Sequence, residues 1–322
     1  MVILLDRSSI QGLMSLADYQ QAVETAFRAV HDGRASSPPP LHLKAGLGGF
    51  HAKGALLQAG RSYAAVKVNG NFPSNREKYG LPTIQGAVIL CDGENGTLLS
   101  IMDSIEITLR RTAAASALAA RHLAQPDSAS LAICGCGEQG RVQAEALAAL
   151  FPIRSASVWD IDRDKAAIFA GEMSRTLGLP FASAPSAAEA VRDAEIIVTC
   201  TTARSPFLEA AHVKPGAFIA AVGADNPEKS EIAPDLMKMS RVVADSLEQC
   251  LAMGDLHHAV SAGVQIHAEL AEIITGAKPG RSCADDIVIF DSTGTALQDV
   301  ASAALIYERA TEKNLGLPFT FN

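Results

Sequence analysis

Apolar and polar positions along this chain keep two different rhythms, and the change between them divides the sequence. Val2 to Leu5 is a short apolar run that predicts a first strand. Ser15 then opens a helix whose Ala22, Val23, Ala26, Phe27 and Val30 fall on one face at helical spacing. Asp18, three residues past Ser15, is the acid of a capping box, and Gly33 stops the helix. Ala35 to Pro40 is a Ser/Pro-rich connection. Leu41 to Leu57, broken by four glycines, predicts a hairpin or loop carrying His42, Lys44, His51 and Lys53. From Ser62 to Asn69 the period drops to two. Ala65, Lys67 and Asn69 take one face and Val66 and Val68 the other, so a half-buried strand is expected with Lys67 turned from the core or toward a cleft. Asn71 to Asn75 reads as a turn-rich loop. Thr83 to Cys91 and Leu98 to Met102 are further strands, joined by a turn at Asp92 to Gly96. Strands in series without long helices between them predict an antiparallel or mixed sheet. Ser104 then caps an alanine-rich helix to about Leu123, containing Arg110 and Arg111, and Pro126-Asp127 marks a boundary.

From Ser130 the order becomes strand, helix, strand, helix. Strands are expected at 130–134, 155–159, 195–200, 217–222, 241–244 and 286–290. Helices are expected at about 139–150, 163–177, 186–192, 232–238, 246–253 and 267–275. A last helix, about 294–314, has its own apolar face of Leu297, Val300, Ala301, Ala304 and Leu305 and is expected to return to the first domain. The fold class is α/β: a Rossmann-type doubly wound parallel sheet plus an α+β domain. The domains are expected at 1–125 with 294–322, and at 126–293.

The second rhythm begins at Ser130-Leu-Ala-Ile-Cys-Gly-Cys-Gly-Glu-Gln-Gly140, a strand entering a glycine turn that opens a helix. Gly135 permits the bend, Gly137 lets backbone approach a pyrophosphate, and Gly140 lets the helix pack on the strand. The next strand ends in Asp160, about 20 residues past the last glycine, where an acid binds ribose hydroxyls. That carboxylate favours NAD over NADP, and Arg163 nearby weakens the preference. Gly223-Ala-Asp225 ends the 217–222 strand, so Asp225 can hold a substrate ammonium or move a proton. Thr201-Thr202 can line the cofactor. Lys67 and Arg111 are cations able to hold a substrate carboxylate, and Lys67 can serve as acid or base if burial lowers its pKa.

Composition narrows the classes. The 322 residues are 48% apolar and 19% charged, as expected of a soluble protein with a large core. With 27 basic and 35 acidic residues and no basic run, neither nucleic acid nor a membrane surface is an expected partner. Six cysteines without metal-type spacing point to free thiols and a reducing compartment, and no metal is expected. Met-Val-Ile-Leu-Leu-Asp is too short for a signal peptide, no run approaches membrane-spanning length, and the expected location is the cytoplasm.

Several segments together resemble the ornithine cyclodeaminase/mu-crystallin family. They are Ala65-Val-Lys67-Val, Gly80-Leu-Pro-Thr83, Leu109-Arg-Arg111-Thr112 with its alanine run, Gly135-Cys-Gly-Glu138-Gln139-Gly140, Val222-Gly223-Ala-Asp225 with Lys229 and Glu231, Ala244-Asp-Ser246, and Asp291-Ser292-Thr-Gly294-Thr-Ala-Leu-Gln-Asp299. The resemblance implies a homodimer whose first domain binds a small amino or imino acid and dimerises, while the second holds NAD. Lys67 and Arg111 would bind the substrate carboxylate, and Asp225 would serve the reacting carbon. Thr83, Thr112, Glu138, Gln139, Thr201, Val222, Gly223, Ser292 and Gly294 join the three turn glycines and Asp160 as implied cofactor residues. Family members carry an arginine after the prolines that follow the first helix. Here Pro38-Pro-Pro-Leu-His42-Leu-Lys44 has none; Lys53 or His42 can substitute, and Lys53 is the expected one. The implied type reaction is cyclisation of ornithine to proline with loss of ammonia. The alternatives are an imino acid reductase or alanine dehydrogenase-like enzyme, a cofactor-independent hydroxyproline-type dehydratase, and a non-catalytic crystallin-like binding protein.

Overall fold

The computed structural model describes residues 1–321. The chain forms two compact units, Met1–Ala115 with Thr295–Asn322, and Ser116–Gly294. The division falls inside the helix Ser104–Leu123, before Pro126, because nothing in an unbroken alanine-rich helix marks it.

In the first unit one sheet runs in the order Leu317–Phe319, Val2–Leu5, Leu98–Asp103, Ile84–Asp92, Arg61–Asn71, Gly48–Ala59, Ala35–Ser36, and Leu41–Ala45 also pairs with Gly48–Ala59. Its neighbours are antiparallel except Val2–Leu5 with Leu98–Asp103. The helices Leu16–His31 and Ala296–Glu312 pack on each other and on this sheet. Tyr19, Val23, Phe27, Leu57, Val88, Leu90 and Ile306 form the buried layer between them. Burial of each of the larger apolar side chains contributes about 1.5–3 kcal/mol. The capping box of Ser15 and Asp18 is present, and Asp18 also takes the Arg309 guanidinium of the last helix at 2.5 Å. Tyr63 donates its hydroxyl to Glu308 at 2.7 Å.

One expectation is reversed on the Arg61–Asn71 strand. Val66 and Val68 are 45% and 38% exposed, whereas Lys67 is only 5% exposed. The inner face belongs to Tyr63, Ala65 and Lys67. The outer face is apolar across four strands, with Leu41, Leu43, Phe50, Val66, Val68 and Ile89 exposed on it. Period-two alternation identifies two faces but not which one the helices cover.

The second unit holds a sheet ordered Phe181–Ser183, Ser155–Trp159, Ser130–Cys134, Ile196–Thr199, Phe218–Ala221, Val288–Asp291, Arg241–Ala244, Ile266–Glu269. Every pairing in it is parallel, and the order turns back between Ser130–Cys134 and Ile196–Thr199. Its central strands are buried on both faces, which explains their unbroken apolar runs. The expected helix at 267–275 is corrected to a strand, Ile266–Glu269, followed by a helix at Leu270–Ile274. Glu269 ends that strand and caps the helix with Glu272, so the two elements abut without a loop to separate their patterns. Among the described residues no helix is long and apolar enough to cross a membrane.

Candidate active site

In the first unit, four residues from three distant segments are held together in its interior. Lys67 comes from the strand Arg61–Asn71, Arg111 from the helix Ser104–Leu123, and Gln298 and Asp299 from the start of the helix Ala296–Glu312. Lys67 Nζ lies 2.6 Å from Asp299 Oδ2. Arg111 donates through Nε to Asp299 Oδ1 at 3.0 Å and through Nη1 to Gln298 Oε1 at 3.0 Å. All four side chains are buried. Burial pushes the Asp299 carboxyl up, but the Lys67 and Arg111 charges outweigh it and hold the group below its ordinary value. Burial pulls the Lys67 ammonium down, and Arg111 and Lys53 add to that. Asp299 opposes them, and the result is a pKa of about 7. An amine with that value both holds and releases a proton near neutrality.

Lys53 stands directly opposite Lys67 on the neighbouring strand. Lys67 and Arg111 share the one carboxylate of Asp299, so this set carries more cation than carboxylate. Two buried polar atoms beside it, Gln298 Nε2 and Thr295 Oγ1, have no hydrogen-bond partner among the described residues. Buried polar groups are nearly always satisfied, so such atoms fit a polar ligand. Sequence reading singled out Lys67, Arg111 and Lys53 for the substrate and placed Gln298, with the segment from Ser292, near the nicotinamide, but it gave Asp299 no role. The available signal was an Asp next to Val300 and Ala301 on a helix otherwise apolar on that side.

The second unit carries the glycine turn. Gly135 has φ +113°, and a Cβ there would lie 2.7 Å from the carbonyl oxygen of Cys200. A Cβ on Gly140 would run into the carbonyl oxygen of Gly135. Gly137 differs, because nothing lies within 4 Å of its Cβ position. It is also the N-cap of Glu138–Leu150 and supplies no side-chain cap, so the first-turn N–H groups face open space. Gln139 Nε2 is buried there without a partner among the described residues. Open space, free donors and an orphaned amide are what a pyrophosphate needs, and the turn fits a dinucleotide. Asp160 is tied to this turn: Oδ2 accepts from Cys136 N at 2.9 Å and from Lys165 Nζ at 2.8 Å, and Oδ1 accepts from Asp162 N at 3.1 Å. Burial raises its carboxyl, but these donors outweigh burial and hold it below the ordinary value.

At the carboxyl ends of the parallel strands, buried carboxylates anchor the loops. Glu231 Oε1 accepts from Thr201 N at 2.6 Å and Thr201 Oγ1 at 2.7 Å, and Oε2 accepts from Gly223 N at 2.9 Å. A Cβ on Gly223 would collide with that carboxylate, so glycine is required. Burial first, and then the charge of Asp255, push Glu231 up to about 7, against the hydrogen bonds from Thr201. Asp255 Oδ1 accepts from Glu231 N at 2.7 Å and Ile232 N at 3.0 Å, and Asp291 accepts from Leu256 N at 2.9 Å. Asp245 takes Gly294 N at 2.7 Å, Thr293 Oγ1 at 3.0 Å and Ser292 Oγ at 3.2 Å. Thr201, Val222, Gly223, Ser292 and Gly294 thus lie on loops at this end of the sheet. Asp225, two residues past Gly223, is exposed and pairs with Lys229 Nζ at 2.7 Å. Thr83 and Thr112 belong to the first unit, Thr83 exposed and Thr112 buried next to Arg111. None of the anchoring carboxylates was assigned a role from the sequence.

An alanine dehydrogenase from Archaeoglobus fulgidus is 38% identical over 323 residues, covering 99% of this chain and 98% of that protein. Among solved structures, an archaeal alanine dehydrogenase dimer with bound NAD matches with a TM-score of 0.94 and 37% identity, covering 100% of this chain and 99% of that one. The Δ1-pyrroline-2-carboxylate reductase of Thermococcus litoralis, in complex with NADH and L-proline, matches with a TM-score of 0.94 and 34% identity, covering 99% and 100%. The model of the ornithine cyclodeaminase/mu-crystallin family matches residues 2–314, and the chain belongs to that family.

Proposed function

We propose that this protein is an NAD(H)-dependent oxidoreductase of small amino and imino acids, acting at the α-carbon. It works as an imino acid reductase or alanine dehydrogenase-like enzyme in preference to an ornithine cyclodeaminase. The observation that carries this reading is the buried Lys67–Asp299–Arg111 set with its excess of positive charge. Such a site suits an α-carboxylate and repels the side-chain ammonium of a diamino acid. The similarity to an alanine dehydrogenase and to a pyrroline-carboxylate reductase supports the same class.

Arg111 and Lys67 hold the substrate carboxylate, and Asp299 fixes both cations. The bound nicotinamide supplies or accepts the hydride. Asp225 holds the substrate nitrogen, and Lys67 Nζ, titrating near 7, is a second group able to give or take a proton. Gly135, Gly137, Glu138, Gln139 and Gly140 hold the pyrophosphate, and Asp160 takes the adenosine ribose. Thr201, Val222, Gly223, Ser292 and Gly294 line the nicotinamide half. Asp160 favours NAD, and Lys165 on its carboxylate moderates the repulsion of a 2′-phosphate. Residues 1–125 with 294–322 serve the substrate and 126–293 the dinucleotide. The exposed apolar outer face of the first sheet is the dimer contact, since a monomer rarely leaves such a patch uncovered. Sedimentation equilibrium tests that contact, and a mass of 33.6 kDa would remove it. The six cysteines are free, which fits a cytoplasmic protein.

The test of the activity is NADH absorbance with Δ1-pyrroline-2-carboxylate and with 2-oxo acids plus ammonium. Consumption of NADH is expected, and Arg111→Ala should lower kcat/KM about a hundredfold, the worth of about 3 kcal/mol for a charged hydrogen-bonding group. NADH binding by that variant, followed by fluorescence, should persist. Proline and ammonia formed from ornithine with catalytic NAD would shift the reading to a cyclodeaminase.

A further inference from the structure

The first unit holds a second space, away from the Lys67–Arg111–Asp299 set. The turn after the helix Arg7–Ile10, the helix Leu16–His31 and the helix Ser104–Leu123 surround a cavity of about 290 Å³. That is close to the lower end for small-molecule pockets, about 300 Å³. Ile10 and Met14 give it an aliphatic side, and Gln11, Tyr19, Glu106 and Arg110 give it a polar one. Gln11 is exposed, so the cavity opens to solvent there. Arg110 and Arg111 are neighbours on one helix but serve different groups. Arg110 donates through Nε to Glu106 Oε1 at 3.0 Å, whereas Arg111 serves Asp299.

Two of the polar groups are deeply buried, Glu106 at 5% exposed and Tyr19 at 2%. Glu106 Oε2 accepts from Gln11 Nε2 at 3.2 Å. A carboxylate has about four acceptor positions, and Gln11 and Arg110 take two of them. The Tyr19 hydroxyl makes no hydrogen bond to a described residue, although Glu106 and Arg110 are near enough for their charges to act on it. Burial, and then the Glu106 charge, push that phenol up against the opposing Arg110, so at neutral pH it is a donor. A buried donor without an acceptor fits a polar ligand.

The lining selects among ligand classes. An anion would meet the Glu106 carboxylate, and a cation would meet Arg110. A wholly apolar molecule would take water from Glu106 and from the Tyr19 hydroxyl and return no hydrogen bond. A zwitterion answers both charges and leaves the site neutral. We infer that this cavity binds an amino acid with an aliphatic side chain, its ammonium on Glu106, its carboxylate beside Arg110 and the Tyr19 hydroxyl, and its side chain on Ile10 and Met14. It is a site separate from the one that holds the substrate, and it stands whether or not the protein is a reductase.

The probe is L-leucine, titrated by calorimetry. In Arg111→Ala, whose fold is checked by NADH binding, the substrate set has lost its guanidinium, and L-leucine should still bind saturably at one site per chain. Adding Tyr19→Phe or Glu106→Gln to that protein should weaken the binding at least tenfold. N-acetyl-L-leucine, which lacks the ammonium, should bind at least tenfold more weakly than L-leucine. In the wild-type protein Tyr19→Phe alone should remove one leucine site and leave NADH binding unchanged. Absence of saturable binding with millimolar L-leucine overturns the inference. So does binding that Arg111→Ala abolishes and Tyr19→Phe does not move, which assigns the leucine to the substrate set, and so does equal binding of the acetylated form. The NADH-consumption assays decide the reductase reading independently of all these results.

Discussion

Each unit buries carboxylates, and each keeps them by opposite means. Asp299 in the first unit is answered by charge, from Lys67 and Arg111, and stays below its ordinary pKa. Glu231, Asp255 and Asp291 in the second are answered by N–H and O–H donors, and all three are pushed up, chiefly by burial. Dipoles placed by the backbone fix loops at little cost in net charge, but they do not fully replace counter-ions. The first arrangement is left cationic and asks for an anion. The second is held by backbone and hydroxyl donors and serves as a fastening for the loops around it.

The largest break in this contrast comes from removing the one carboxylate of the first set. Asp299→Ala leaves Lys67 and Arg111 buried side by side, and stability to urea should fall by about 3–5 kcal/mol, the cost of stripping one partner from a buried pair. A loss below about 1 kcal/mol would show that the cations relax to solvent and that the set is not truly buried.

The pH dependence of stability sharpens the contrast next. Folded Lys67 titrates at about 7 and unfolded lysine at 10.5, so between those values the unfolded chain carries the extra proton and stability rises with pH. Folded Glu231 titrates at about 7 and unfolded glutamate at 4.5, so between those values the folded chain carries the extra proton and stability falls as pH rises. Asp255 and Asp291, raised in the same direction, add to that fall. Urea midpoints across pH 4.5 to 8.5 should therefore pass through a minimum near 7, and above that range the buried thiols, raised by desolvation, make stability fall again. Glu231→Gln should flatten the acid limb alone, while its mispaired amide costs about 1–3 kcal/mol at neutral pH. A monotonic profile in the wild type would contradict the opposed signs.

The smallest effect is expected at Asp255. Its Oδ2 is buried with no hydrogen-bond partner among the described residues, while Oδ1 accepts from two backbone N–H groups and the Ser230 hydroxyl. Asp255→Asn keeps that acceptor and removes a like charge beside Glu231, so stability at neutral pH should change by less than about 1 kcal/mol and the Glu231 titration should move down. A change of several kcal/mol would mean that the charge itself holds the loops.

What could be read from sequence follows from how local each signal is. The glycine turn, Asp160 and the alternation of strands and helices after Ser130 are written in adjacent residues, and the parallel sheet followed from them. Lys67 and Arg111 were candidates as cations, but spacing alone fitted a solvated strand and a surface helix equally or better, and the family resemblance gave them a role. Asp299 was not, because an acid on an apolar helix becomes meaningful only when folding brings a lysine and an arginine to it from distant segments. Glu231, Asp245, Asp255 and Asp291 were hidden for the same reason. Val66 and Val68 were misjudged because alternation says that two faces differ and not which is covered.

The start of the helix Ala296–Glu312 supplies both Gln298 and Asp299 to partners in the first third of the chain. The buried Lys67–Arg111–Asp299 set is therefore not inheritable by any continuous N-terminal fragment. Residues 1–115 expressed alone would carry Lys67 and Arg111 without the acid that reconciles them, and recombination within this family can exchange the cation-bearing segment safely only if the closing helix travels with it.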